Sequence, residues 1–206
     1  MSTNLTYTDI ANMALDWCGA SLSIQDIDEK QNPDAILCAR NLPHAIQTEL
    51  DSYEWAFARR VITPVKDESP DMQIPGYICY SLPDDFSRLS MYQFFDYYQF
   101  PKTWEYQWGH TYMVQNNRLY TRTELPKLAY ISNRVDIAEW PSLFCDCVAL
   151  NLATRICSKI KGLDADIGFM MSLRREKLKD ARRLELIQTE AQQGGMSNLQ
   201  INRWVP

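Results

Sequence analysis

Apolar residues recur at helical intervals at both ends of the chain and fall into short runs punctuated by proline in the middle. Ile10, Met13, Ala14, Trp17 and Cys18 repeat every three or four residues, Thr6 and Asp9 have the spacing of a capping box, and Gly19 follows, so a first helix is predicted from about Tyr7 to Cys18. An acidic, polar loop then leads to Asn32 as N-cap and Pro33 as first helical residue of a second helix, reaching about Glu54. Its predicted buried stripe is Ile36, Ala39, Pro43, Ile46, Leu50 and Tyr53. Pro43 has no N–H to donate and its ring crowds the preceding turn, which predicts a kink or two consecutive helices.

From Arg59 to Ser132 the pattern changes. Prolines at 64, 70, 75, 83, 101 and 126 separate short runs rich in Tyr, Phe, Trp, Ile and Val, the punctuation of a small antiparallel sheet. The predicted strands are 76–82, 87–94, 103–108, 111–115, 118–123 and 127–132. Asn116 and Asn117, both tolerant of positive φ, join two of these runs and predict a tight hairpin. Helical spacing returns after Pro141, where Phe144, Val148, Leu152, Ile156 and Ile160 recur every fourth residue before Gly162. Leu143, Cys147, Leu150 and Ala153 widen that stripe, so the first half of this helix is predicted to be central. Asp164 is the expected cap of a last helix, about 40 Å long at 1.5 Å per residue. Its apolar positions are Ile167, Met170, Met171, Leu178, Ala181, Leu184 and Ile187, opposite a heavily charged face. The expected class is α+β: an antiparallel helical bundle from 1–58 and 133–192, a small antiparallel β domain inserted at 59–132, and a flexible C-terminal tail at 193–206 that starts near Gly194 and Gly195.

Composition fits this picture. Apolar residues make up 46% and charged ones 23% of 206 residues, enough for a sizeable core without staples. No apolar run approaches the roughly 18–20 residues that span a bilayer, and the first residues lack the basic start and apolar stretch of a secretory signal. The six cysteines (18, 38, 79, 145, 147 and 157) are therefore expected as free thiols of a soluble, cytosolically made chain. Six tryptophans and 12% aromatic residues lean toward buried protein interfaces. A net charge of −5 argues against a dedicated nucleic-acid binder.

The residues that suggest chemistry have structural readings. Cys145 and Cys147 form a C-x-C, but two residues apart on a helix they point about 200° from each other and cannot chelate one ion. His44 and His110 have no adjoining nucleophile or carboxylate motif. The carboxylates of "LPDDF" (82–86) lack further oxygen ligands nearby, and those of "DADIG" (164–168) precede a helix, where aspartate caps. No phosphate-cradling glycine motif and no nucleophile elbow is present. The basic run "RREKLKDARR" (174–183) is interleaved with Glu176, Asp180 and Glu185 and reads as a solvated or subunit-facing helix surface. No catalytic, cofactor or metal site is expected.

Several segments together resemble the head-to-tail adaptor family of short-tailed bacteriophages, also called tail tubular protein A or gatekeeper proteins. They are a helix ending in W-x-F-A-x-R (Trp55, Phe57, Ala58 and Arg60, or Arg59 in the shifted register), then "GYICYSLPDDFSRL", the extended "LAYIS" (128–132), and "EWPSLFCDCVALNLATRI" (139–156). The resemblance spans about residues 8–190. It implies a non-enzymatic virion protein of the tail or neck, made in the bacterial host cytoplasm, without cofactor. Its copies form a ring, typically of twelve, under the portal protein. The ring extends the DNA channel used in ejection and carries the tail nozzle and, in some phages, fibres. Genomic DNA passes through without sequence-specific contact, and a negative lumen limits sticking. The tail with Leu199, Ile201, Trp204 and Val205 is then a candidate for portal docking. Two rivals are an oligomeric cytosolic module that holds nucleic acid or peptide on its long charged helix, and an enzyme with an unrecognised site in the β domain using His110.

The segment "YEWAFARR" (53–60) is the strongest mark of the resemblance. Trp55 and Phe57 are expected to point inward together as the period changes from 3.6 to 2, with Ala56 and Ala58 on the other side. Trp55, Phe57, Arg59 and Arg60 thus form a helix–sheet joint, in which one arginine pairs with a carboxylate within the subunit or across a ring interface.

Overall fold

The computed structural model describes residues 5–69, 73–90, 112–122, 127–162 and 166–201, with 188–201 as backbone alone. Helix α1 (Tyr7–Cys18) forms where the pattern places it. The Asp9 N–H donates to Thr6 Oγ1 (3.2 Å) while the Thr6 N–H donates to the Asp9 carboxylate (2.7 Å), so two of the donors that a helix start leaves free are satisfied reciprocally. Gly19, at φ 68°, closes the other end in the left-handed region.

Helix α2 (Pro33–Ser52) opens on Asn32, whose side chain accepts from the N–H groups of Asp34 and Ala35. It is one helix across Pro43, so the two-helix alternative does not hold; Pro43 lies on the exposed side, where a carbonyl without its donor can be hydrated. The buried stripe is Ala35, Cys38, Leu42, Ala45, Glu49 and Leu50, rotated from the predicted one, and Ile36 and Pro43 are exposed. Large apolar side chains drew the sequence reading to the wrong face. The helix buries its small residues, which allow close approach to its neighbour, and a glutamate that finds partners there.

Helix α3 (Ser142–Ile160) is central, packed against α1, α2 and the last helix, with almost every residue from Phe144 to Ala153 buried. That last helix, α4 (Ile167–Ile201), is capped by Asp166, whose carboxylate accepts the Phe169 N–H at 2.9 Å; Asp164 lies outside the described residues. Among its described side chains Met170, Ala181 and Glu185 are buried, whereas Met171, Leu184 and Ile187 are exposed, against expectation. The helix also continues past Ala191 to Ile201, across Gly194 and Gly195, so residues 193–201 are helical rather than tail. An interior glycine costs a helix about 1 kcal/mol, too little to stop one whose flanks, Ala191 to Gln193 and Met196, accept helical geometry.

The β residues form two antiparallel sheets. One has the order β1–β7–β4 (Arg59–Ile62, Leu128–Ser132, Phe86–Leu89), the other β2–β3–β6–β5 (Val65–Lys66, Ile78–Ser81, Arg118–Thr121, Tyr112–Gln115). Strands β1 and β2 were not among the predicted runs, because Pro64 divides a stretch already short; the predicted 103–108 lies outside the described residues. Tyr80, Leu82, Leu119 and Leu128 make the sheets' common core, with Ile62, Ile78, Phe86 and Leu89 packed on it. The chain divides into two compact units, Met1–Phe57 with Val135–Pro206, and Ala58–Arg134. No helix among the described residues is long and apolar enough to cross a membrane.

The hairpin at Asn116–Asn117 is as the sequence indicates: both residues have positive φ, 51° and 57°. Left-handed backbone penalises a Cβ that lacks asparagine's local hydrogen bonding. Asn116→Ala is therefore expected to destabilise by about 1 kcal/mol and Asn116→Gly to be neutral or stabilising, measured by urea denaturation.

Candidate functional site

The end of α2 carries the segment that sequence reading singled out. Ser52 Oγ and Trp55 Nε1 both donate to the Glu49 carbonyl, each at 2.8 Å, satisfying one of the acceptors that a helix C-terminus leaves free. Tyr53 is extended, and Ala56–Ala58 form a 3-10 turn before β1 begins at Arg59. This differs from the expected switch to a two-residue period. Trp55 is buried (1% exposed), Phe57 half-buried and Ala56 exposed, while Ala58, expected on the outer side with Ala56, is buried.

Trp55 and Phe57 meet Phe144 of α3 at ring-centroid distances of 5.2 and 4.9 Å, and Trp140 reaches the same Phe144 at 5.1 Å, all three steeply inclined. Such edge contacts contribute about 0.5–1.5 kcal/mol each beyond the buried area. Tyr53 closes on Trp55 at 5.2 Å and Tyr7 on Trp140 at 6.0 Å. Arg59 and Arg60 lie on β1 opposite Ile131 and Tyr130, both half-buried; the Arg60 guanidinium donates to the Arg59 carbonyl at 3.3 Å.

One turn back, Glu49 is fully buried (0% exposed). Its Oε1 accepts from Asn151 Nδ2 of α3 at 2.6 Å and from Arg174 Nε of α4 at 2.5 Å, while Oε2 has no hydrogen-bond partner. The network continues outward: Arg155 Nε donates to Asn151 Oδ1 (2.9 Å) and its Nη2 to the Thr48 hydroxyl (2.9 Å). Further contacts hold α4 to the same region. Lys177 Nζ meets Asp146 at 2.9 Å, Arg182 donates to the Ser52 carbonyl at 2.7 Å with its guanidinium 5.3 Å above the Tyr53 ring, and Glu185 accepts the Ala56 N–H at 2.6 Å. A cation at the C-terminus of α2 also answers that helix's dipole. The sequence reading missed Glu49. Its place in the small-residue progression Ala35, Cys38, Leu42, Ala45 was the available signal.

These contacts position helices α2, α3 and α4. All six cysteines are buried and unpaired. Burial, and then the negative charge of Glu49, pushes the Cys147 thiol up to about 12, and burial pushes Cys145 up to about 11. Neither thiol is a nucleophile at neutral pH. Among the described residues no group of three His, Cys, Asp or Glu side chains could hold a metal ion. His44 is exposed on α2, and His110 lies outside the described residues. Asp85 of "LPDDF" accepts from the Tyr130 hydroxyl (2.9 Å) and the Ser132 hydroxyl (2.7 Å), so both oxygens are occupied in tying the turn before β4 to β7. Burial and that bond push the Tyr130 phenol up to about 12. Leu199 and Ile201 sit on the last turns of the α4 backbone; Trp204 and Val205 lie outside the described residues.

Compared with models of known protein families and with curated proteins, the chain matches none.

Removing the indole of Trp55 opens a void against Phe144 and leaves the Glu49 carbonyl with the Ser52 hydroxyl alone of its two side-chain donors. Trp55→Ala is expected to cost about 3–5 kcal/mol in chemical denaturation, and an unchanged melting temperature would refute its placement. Arg174→Met, which strands a buried carboxylate, is expected to cost about 3–5 kcal/mol, and Glu49→Gln, which keeps the acceptor, less than half of that. The reverse order in the same assay would show that charge does not organise the network.

Proposed function

We propose that the chain is a head-to-tail adaptor of a short-tailed bacteriophage, a non-enzymatic virion protein whose copies form a ring, of twelve by the family's pattern, beneath the portal. One observation carries the reading. The segments that resemble the family, remote from one another in sequence, meet as side chains: Trp55 and Phe57 of the first close on Trp140 and Phe144 of the last around a single ring, and Asp85 of "LPDDF" is bonded to Tyr130 and Ser132 of "LAYIS". A resemblance of scattered letters has no reason to converge in this way; one that reflects a shared interior does.

In this role the ring prolongs the DNA channel and gives the nozzle, and fibres where present, a place to attach. The chain's net charge of −5 suits a passage along which DNA slides, because basic contacts to phosphate create affinity. The distal part of α4, with Leu199 and Ile201, and the residues beyond it are the segment that docks on the portal; as a helix it presents less ordering cost than a loose tail.

The purified chain, alone and mixed with the portal ring of its own virion, is expected to bind the portal as a ring whose copy number native mass spectrometry reads directly. A chain that stays monomeric and separate from the portal would sink the proposal. Deleting residues 194–206 is expected to weaken portal binding at least tenfold. Undiminished binding would remove the distal helix from the interface.

A further inference from the structure

We infer that the outward face of α4 is where the acidic edge formed by α1 and the α1–α2 loop of a second copy docks, so that copies add head to tail. This rests on the ring reading and specifies the faces that meet. On α4, Arg175, Lys179 and Arg183 recur every fourth residue and are exposed. The inward cations are engaged elsewhere, Arg174 with Glu49 and Lys177 with Asp146. Around the outward row, Leu184, Leu186 and Ile187 are 50%, 48% and 52% exposed. Leu184 and Ile187 join Leu143 and Leu173 in an open groove of about 520 Å³ between α3 and α4, which Glu176, Asp180 and Arg183 also line.

The complementary edge has the opposite sign. Asp9 and Asp16, seven residues apart, share an exposed face of α1. Asn12 bonds both the N–H and the carbonyl of Ile24 (2.8 and 3.0 Å), and the Thr8 hydroxyl accepts the Ile27 N–H at 3.2 Å. These bonds lay the loop alongside that face, with Asp26, Asp28, Glu29 and Lys30 exposed. Trp17 at 42% exposure and Leu22 at 78% supply apolar surface beside the acids. On α4 the exposed cations Arg175, Lys179 and Arg183 outnumber the exposed acids Glu176 and Asp180 between them, whereas the α1 edge is acidic with Lys30 among its acids, so each face joins exposed apolar side chains to a charge pattern that the other can answer. A second copy is the occupant this selects. Nucleic acid is disfavoured because its phosphates carry no cation to answer Glu176 and Asp180, whereas the α1 edge carries the exposed Lys30 among its acids. A second α4 would set one cation row against another. Two different faces in contact make a heterologous interface, which repeats into a ring when its rotation closes, whereas a self-complementary face stops at a dimer.

The test uses the full chain. Equal amounts of natural and ¹⁵N-labelled protein, concentrated at low salt, are treated with a carbodiimide that joins carboxylates to amines in contact, and the linked peptides are read by mass spectrometry. Expected are mixed-isotope links between Lys179 and the segment Asp26–Glu29, reduced about tenfold by Arg175→Glu with Arg183→Glu, changes that leave Lys179 in place. Self-association by sedimentation velocity is expected to fall likewise with Asp26→Lys and Asp28→Lys, and to return when both pairs of changes are in one chain. The inference is overturned if the links are absent, confined to one isotope, or join α4 to α4, or if the reversals change nothing or fail to rescue each other. A ring that still forms on the portal with either reversal alone overturns this surface and leaves the adaptor reading intact. Self-association that passes the charge test in a chain indifferent to the portal does the opposite.

Discussion

Glu49 puts a carboxylate in the buried interior of the bundle, and two helices answer it, Asn151 from α3 and Arg174 from α4. An isolated buried charge would cost several kcal/mol, so the bundle is stable only in arrangements that bring those partners to the same oxygen. The geometry that follows is restrictive. Arg174 must face inward, the end of α2 must come close enough to α4 for Arg182 and Glu185 to reach Ser52 and Ala56, and Trp55 must fold back under the last turn of α2. The aromatic cluster around Phe144 is then formed by residues already constrained at both ends.

This divides the bundle into two kinds of attachment. Against α3, helices α1 and α2 bury mainly small and aliphatic residues, Ala11, Ala14, Ala35, Cys38 and Ala45 among them, where close approach and dispersion dominate. Helix α4 contributes buried apolar residues at Met170 and Ala181, but Arg174, Lys177, Arg182 and Glu185 make its directional contacts. Ion pairs with partly exposed members add less stability than apolar packing of the same size, yet they penalise misplacement heavily. The attachment of α4 is thus specific in angle and register beyond what its apolar contacts alone would impose.

Much of this was legible. The capping box at Thr6, the asparagine hairpin, the Asn32–Pro33 start and the central first half of α3 are local signals, and local physics decides them. Where the reading failed, the deciding partner was distant. The α2 stripe was misplaced because Ile36 and Ile46 look more apolar than Ala35 and Glu49, and only Asn151 and Arg174, more than a hundred residues on, make burial of Glu49 affordable. The inner face of α4 was misread for the same reason: arginine and glutamate took positions that periodicity would give to Met171 and Leu184. At "YEWAFARR" Trp55 is buried as expected, but Phe57 is half-buried and Ala58 buried, because a 3-10 turn at the capped end of α2 replaces the expected switch to strand period.

The phase of a helix is indivisible, which links the buried pair to the surface. Successive residues turn by about 100°, so fixing Arg174 toward Glu49 fixes Arg175, Lys179 and Arg183 toward solvent, with Leu186 beside them. A helix held only by apolar side chains could rotate by one position at modest cost, exchanging Leu178 or Ala181 for a neighbour, and its outer face would present different residues from one state to the next. With Arg174 bound to a carboxylate in the interior, such a rotation would leave both charges unanswered. The interior ion pair therefore determines which residues α4 shows to a partner, and the specificity of the outer face follows from chemistry in the core.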